Sequence, residues 1–152
     1  MGLLSRLFKK TRQQRRRDEV IDEKQSLYTP DCILSLKSNE IFVFGCNLHG
    51  LHQGGAAKHT HRYFGAIWGQ GVGLQGQSYA IPTMQGGIET IQPYVDDFIV
   101  FAQTHPELRF LVTRIGSGIA GFKDEDIAPL FREALCFDNI VLPYEFIKVL
   151  GK

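Results

Sequence analysis

The chain has 152 residues, 43% hydrophobic and 22% charged, the ordinary balance of a soluble globular protein and enough for one domain with a real core. No run of about 18 apolar residues occurs, which excludes a membrane-spanning helix. Three cysteines, Cys32, Cys46 and Cys136, without CxxC spacing exclude a disulfide framework and a cysteine zinc site; they suit a reducing cytosol, so a cytoplasmic location is expected.

The net charge of +1 hides an asymmetry. Residues 1 to 17 contain Arg6, Lys9, Lys10, Arg12, Arg15, Arg16 and Arg17 and no acid, leaving a mildly acidic remainder with 10 Lys and Arg against 16 Asp and Glu. Residues 1–26 therefore read as a basic tail on a domain spanning 27–152. "GLLSRLF" is too short for a secretory segment, and Arg6 stands where myristoylation after Gly2 wants Ser or Thr. As a helix the tail would gather Leu3, Leu4, Leu7 and Phe8 on one face. It could then lie on an anionic membrane or touch nucleic-acid phosphates; the alternative is a flexible, solvated terminus.

In chain order, "EIFVFGC" (40–46) is an aromatic, β-branched run ended by glycine and predicts a buried strand. "GAAKHTHRYFG" predicts a short helix starting at Gly54–Gly55. "QSYAIPT" (77–83) predicts a strand stopped by Pro82. Residues 91–105 place Ile91, Val95, Phe98, Ile99 and Ala102 at helical spacing, with Pro93 in the first turn. "LRFLVTRIG" (108–116) predicts a strand. "DEDIAPLFREALC" (124–136) opens on three acids suited to a helix N-terminus and is apolar at Ile127, Leu130, Phe131, Ala134 and Leu135. "NIVLP" (139–143) predicts a last strand. This alternation predicts an α/β sandwich with a largely parallel sheet, in which ligands bind where strand ends lead into helices.

Three glycine-rich stretches compete for that role. "GVGLQG" (71–76) fits GxGxxG, but a strand follows it where a dinucleotide site needs a helix, so it reads as a hairpin or loop. Gly54 and Gly55 precede a helix, where free backbone N–H groups and the helix dipole favour an anion. "GSGIAGF" (116–122) follows a strand and precedes another helix, and its glycines allow close approach of a ligand. Two such loops in one sheet could converge on one diphosphate.

His49, His52, His59 and His61 fall within thirteen residues, as HxxH and HxH. Zinc sites use such spacings, but no Cys, Asp or Glu lies between 47 and 88, and HxH on a helix points to different faces. No metal is expected, and solvated or ligand-contacting histidines are the reading preferred to a zinc module. Cys46 reads as a buried structural thiol rather than a reactive one.

From about Pro30 to Pro143 the chain resembles the macro domain, the ADP-ribose-binding α/β/α fold. "PDCI" matches the opening element whose aspartate accepts the adenine amino group, putting Asp31 there with Cys32 beside it. "IFVFGCN" puts Asn47 at the strand end that touches the distal ribose. "QGGAAKHTHRYFG" matches the glycine loop and its helix, with Gly54, Gly55 and Ala56 at the diphosphate. "SGIAGF", preceded by Gly116, puts Ser117, Gly118, Ile119, Ala120, Gly121 and Phe122 in the second diphosphate loop. The chain departs from the pattern at Gln53, at Ala120, where an aromatic is common, and at Ala57, where hydrolytic members often carry an acid. The resemblance thus implies a three-layer α/β/α sandwich with a mixed, largely parallel sheet. It implies binding of ADP-ribose or a related nucleotide, without a further cofactor, more strongly than ADP-ribosyl hydrolysis. If hydrolysis occurs, Asn47 would position water and a nearby histidine such as His52 would assist. The alternative is a nucleic-acid- or membrane-associated accessory protein acting through the basic tail.

Overall fold

The computed structural model describes residues 11–17 and 27–151. Residues 12 to 17 are helical, with every side chain exposed; Thr11 and Gln14 close the entry reciprocally, Thr11 N–H donating to Oε1 of Gln14 (3.1 Å) and Gln14 N–H to Oγ1 of Thr11 (3.2 Å). The rest of the tail, including the expected apolar face of Leu3, Leu4, Leu7 and Phe8, lies outside the described residues.

The body is built on β1 (Glu40–Cys46), β2 (Gly73–Gln75), β3 (Ser78–Pro82), β4 (Arg109–Val112) and β5 (Ile140–Val141). They form one sheet in the order β2-β3-β1-β4-β5, parallel except for β2, which pairs antiparallel with β3. Helices α1 (Gly55–Tyr63), α2 (Ile88–Gln103), α3 (Asp124–Ile127) and α4 (Tyr144–Leu150) complete it, with a 3-10 helix over Ala128–Cys136.

Strand alternation splits the core in two, because a sheet covered on both faces buries both sides of each strand. Ile41, Val43, Tyr79, Ile81, Phe110, Val112 and Ile140 join α2, the 3-10 helix and α4 in the larger cluster. Phe42, Phe44, Cys46, Ala80, Leu111 and Val141 face the other way, onto Ala57 of α1, Phe64, Ala66 and Ile33. The fold is thus α/β, a mixed and mostly parallel sheet with helices on both faces.

Several elements differ from expectation at their limits. α2 begins at Ile88, so Pro93 sits in its second turn rather than its first. The hydrogen bond this removes is worth about 1 kcal/mol, far less than burying Ile91, Val95, Phe98, Ile99 and Ala102, at about 1.5–3 kcal/mol for each large side chain. The helix expected over 124–136 stays α-helical only to Ile127; Pro129 lacks an N–H and its ring crowds the preceding turn, and the chain tightens into the 3-10 helix. β4 ends at Val112, where Thr113 still gives its N–H (3.1 Å) and hydroxyl (2.8 Å) to the Val43 carbonyl. β2 is an arm of the β2–β3 hairpin, in agreement with reading 71–76 as a hairpin. α4 was not expected, although Gly151 closes it in the left-handed conformation that helix ends favour. Among the described residues no helix is long and apolar enough to cross a membrane.

Candidate functional site

β1 and β4 lie side by side, yet the chain leaves them toward opposite faces: to α1 after β1, to α3 and the 3-10 helix after β4. Such a divergence opens a crevice at the carboxyl ends of the strands. Here it is a cleft of about 630 Å³, within the range of small-molecule sites. Its floor is where strand ends crowd together: a Cβ on Gly45 would lie 3.3 Å from the Thr83 side chain and 3.4 Å from Ile115.

The segment before β1 reaches this end because Thr29 docks beside β5. Its N–H donates to the Leu142 carbonyl (3.0 Å) and its hydroxyl to the Val141 carbonyl (2.9 Å). Asp31 and Cys32, both exposed, thereby line the cleft.

The first loop is tied by Asn47, whose Nδ2 donates to the Leu51 carbonyl (2.8 Å) and whose Oδ1 accepts from the Leu51 N–H (2.9 Å). One amide N–H and one lone pair of Asn47 are left over. Gly54 is extended, but Gly55 has φ +58°, a left-handed conformation that costs other residues about 1–2 kcal/mol and explains the glycine there. α1 follows at once. Its first hydrogen bond runs from Lys58 N–H to the Gly54 carbonyl (3.2 Å), so among the described residues the N–H groups of Gly55, Ala56 and Ala57 have no partner at the positive end of its dipole.

The second loop folds on itself. Phe122 N–H donates to the Gly116 carbonyl (2.8 Å), Gly121 N–H to Gly118 (3.0 Å), and the Ser117 hydroxyl to Arg114 (2.7 Å). These bonds leave the N–H groups of Gly118, Ile119 and Ala120 without a partner among the described residues.

The structure therefore brings Asp31, Cys32, Asn47, Gly54, Gly55, Ala56, Gly116, Ser117, Gly118, Ile119 and Ala120 to one cleft. Gly121, Phe122 and His52 do not line it. Gly121 uses its N–H inside the loop, and Phe122 packs beneath the loop against the larger core. His52 is 2% exposed; its Nε2 lies 2.8 Å from the Ile67 carbonyl, and its ring packs on Phe44. A base buried in this way cannot reach a bound molecule.

Sequence reasoning missed Arg114, which directly follows Thr113 at the end of β4. Among the described lining residues it is the one Lys or Arg, and Asp31 is the one carboxylate. Its Nη2 and Nε donate to Asp124 at 2.7 and 3.3 Å, and Glu145 of α4 lies 4.0 Å from Nε. The hydrogen-bonded Asp124 holds the guanidinium pKa above its usual value; partial burial opposes this, and the charges of Asp124, Glu145 and Asp31 add to it. Nη1 takes no part in the bonds to Asp124.

Of the remaining motif residues, His59 also lines the cleft. His59 and His61 diverge as their spacing requires, His59 to the Ile33 carbonyl (3.1 Å) and His61 to Ala66 (2.7 Å). Among the described residues no three His, Cys, Asp or Glu side chains come together as metal ligands. Cys46 donates to the Gly71 carbonyl (3.1 Å), and burial pushes its thiol pKa up to about 12, so it is no thiolate nucleophile. Gly71, first glycine of the GxGxxG match, abuts the first loop: a Cβ there would lie 2.1 Å from the Leu48 carbonyl oxygen. Comparison with protein-family models, with curated proteins and with solved structures gives no match.

Proposed function

We propose that the cleft binds ADP-ribose or a closely related nucleoside diphosphate. The observation that carries the reading is the convergence of two rows of unbonded backbone N–H groups, at 55–57 and 118–120, with the Arg114 guanidinium in one cleft. Oriented backbone donors at a helix N-terminus suit a diphosphate dianion, and a fixed guanidinium strengthens the site. Asp31 accepts from the adenine amino group, and the spare N–H of Asn47 meets the distal ribose. This deepens the macro-like expectation, from which the assignments of Asp31 and Asn47 come.

Binding is favoured over hydrolysis. Ala57 offers no acid where hydrolytic macro domains often carry one, and it is 7% exposed against the smaller core. The proposal gives His52 no role. Titration calorimetry with ADP-ribose tests the reading: micromolar binding is expected, weakened about tenfold in Asp31→Ala, the loss of one hydrogen bond to a charged group. Absence of both heat and a thermal shift at millimolar ADP-ribose overturns it.

A further inference from the structure

We infer that the face formed by the last turns of α1 and the 64–72 loop binds single-stranded nucleic acid. The first observation is a charge pattern. Residues 41 to 88 contain no Asp or Glu, although the chain has 16, and they hold Lys58, Arg62 and four of the five histidines. The rest of the body carries the acid, and Lys58 and Arg62 of α1, both exposed, stand in this acid-free segment.

The second observation concerns rings. Tyr63 is 59% and Trp68 49% exposed, large aromatic surfaces that folding leaves in water. Each lies against a basic side chain: the Arg62 guanidinium stands 5.4 Å from the Tyr63 ring centre, and the His61 ring is 5.7 Å from Trp68. Exposed rings beside basic side chains, in a segment without Asp or Glu, are the elements that stack bases and meet phosphates along a single strand. A duplex keeps its bases stacked on one another and has no free ring face to offer. The surface continues to the cleft, since Gly69 N–H donates to the Gly50 carbonyl (2.9 Å) and the next residue, Leu51, lines the cleft wall. The proposal draws on no residue of the basic tail, and it stands whether or not the cleft holds ADP-ribose.

The chain has a single tryptophan, Trp68, so its fluorescence reports on this surface alone. The full-length protein would be titrated with thymidylate and uridylate oligomers of about 12 nucleotides, long enough for a typical single-strand site. Saturable quenching by either oligomer is expected, and their ratio distinguishes DNA from RNA. The doubly substituted Arg62→Ala/Tyr63→Ala protein, both positions being exposed, should melt as the parent does and bind about tenfold more weakly. Binding seen by oligomer anisotropy but without quenching, and unchanged in that variant, would assign the activity to the tail and overturn the proposal. So would no binding, equal quenching by a duplex, or quenching by anionic lipid vesicles alone.

Discussion

Ile119 reaches across the cleft to Gly54: a Cβ placed on Gly54 would lie 3.2 Å from Ile119 Cδ1. The two glycine loops, far apart in sequence, thus meet over the cleft, and Ile119 is the bar between them. Because Ile119 is 71% exposed, Ile119→Ala should change stability by no more than about 0.5 kcal/mol. Under the proposed function it should speed ADP-ribose dissociation several-fold, which stopped-flow displacement would read. Unchanged kinetics would show that the contact does not retain the ligand.

Arg114→Ala should lower ADP-ribose affinity about tenfold by removing a charge-assisted contact. The ion pair with Asp124 is partly exposed, so its loss should cost less than about 1 kcal/mol in urea unfolding. A large stability loss with unchanged affinity would reassign Arg114 to a purely structural role.

The thiols should separate by burial. With a thiol-specific chromogen at pH 8, Cys32 and Cys136 should react promptly and Cys46 only on unfolding. ADP-ribose should slow Cys32, which lines the cleft, and leave Cys136 unaffected.

Stability should fall in alkali. Burial raises Cys46 from 9.0 to about 12, and burial with the Asp97 charge raises Tyr79 from 10.0 to about 12. Both groups are protonated in either state below pH 9. Above it the unfolded chain releases protons that the folded chain keeps, so unfolding gains until the folded groups also ionise near pH 12. Urea midpoints should therefore decline from pH 9 upward, less steeply in Cys46→Ala. A slope identical in that variant would remove the thiol from the explanation.

Two glycines of the GxGxxG match should respond differently. Gly71→Ala forces a Cβ into backbone 2.1 Å away and should cost about 3 kcal/mol or more, or prevent folding. Gly73 has φ +86° with open space around it, so Gly73→Ala should cost about 1–2 kcal/mol from backbone strain alone. Thermal melts of the pair would check this; comparable losses would mean that Gly71 is not wedged against the first loop.

What was legible in the sequence followed from local physics. Ile41 and Val43 alternate with Phe42 and Phe44, and the helical spacing of Ile91 to Ala102 marks one buried face; both patterns survive folding because each face meets a core. The glycine loops were legible because their backbone demands are local. Arg114 was not, since its position depends on Asp124 and on Glu145 of a helix that packs there only in the tertiary fold. His52 misled for the opposite reason. It lies close to Asn47 in sequence, but the Asn47–Leu51 closure turns the chain and sends the ring inward toward Phe44.

The two apolar clusters give the cleft a mechanical property. One wall, α1, is anchored to the smaller cluster; the other, the 116–122 loop, leads into helices anchored to the larger, and the sheet separates them. Among the described residues the two walls belong to different apolar clusters, and Ile119 over Gly54 is a contact between them. Widening of the gap would leave both clusters packed, so under the proposed function a guest should enter and leave without unfolding. Under the proposed function a bound diphosphate would become a clasp between two walls carried on one sheet.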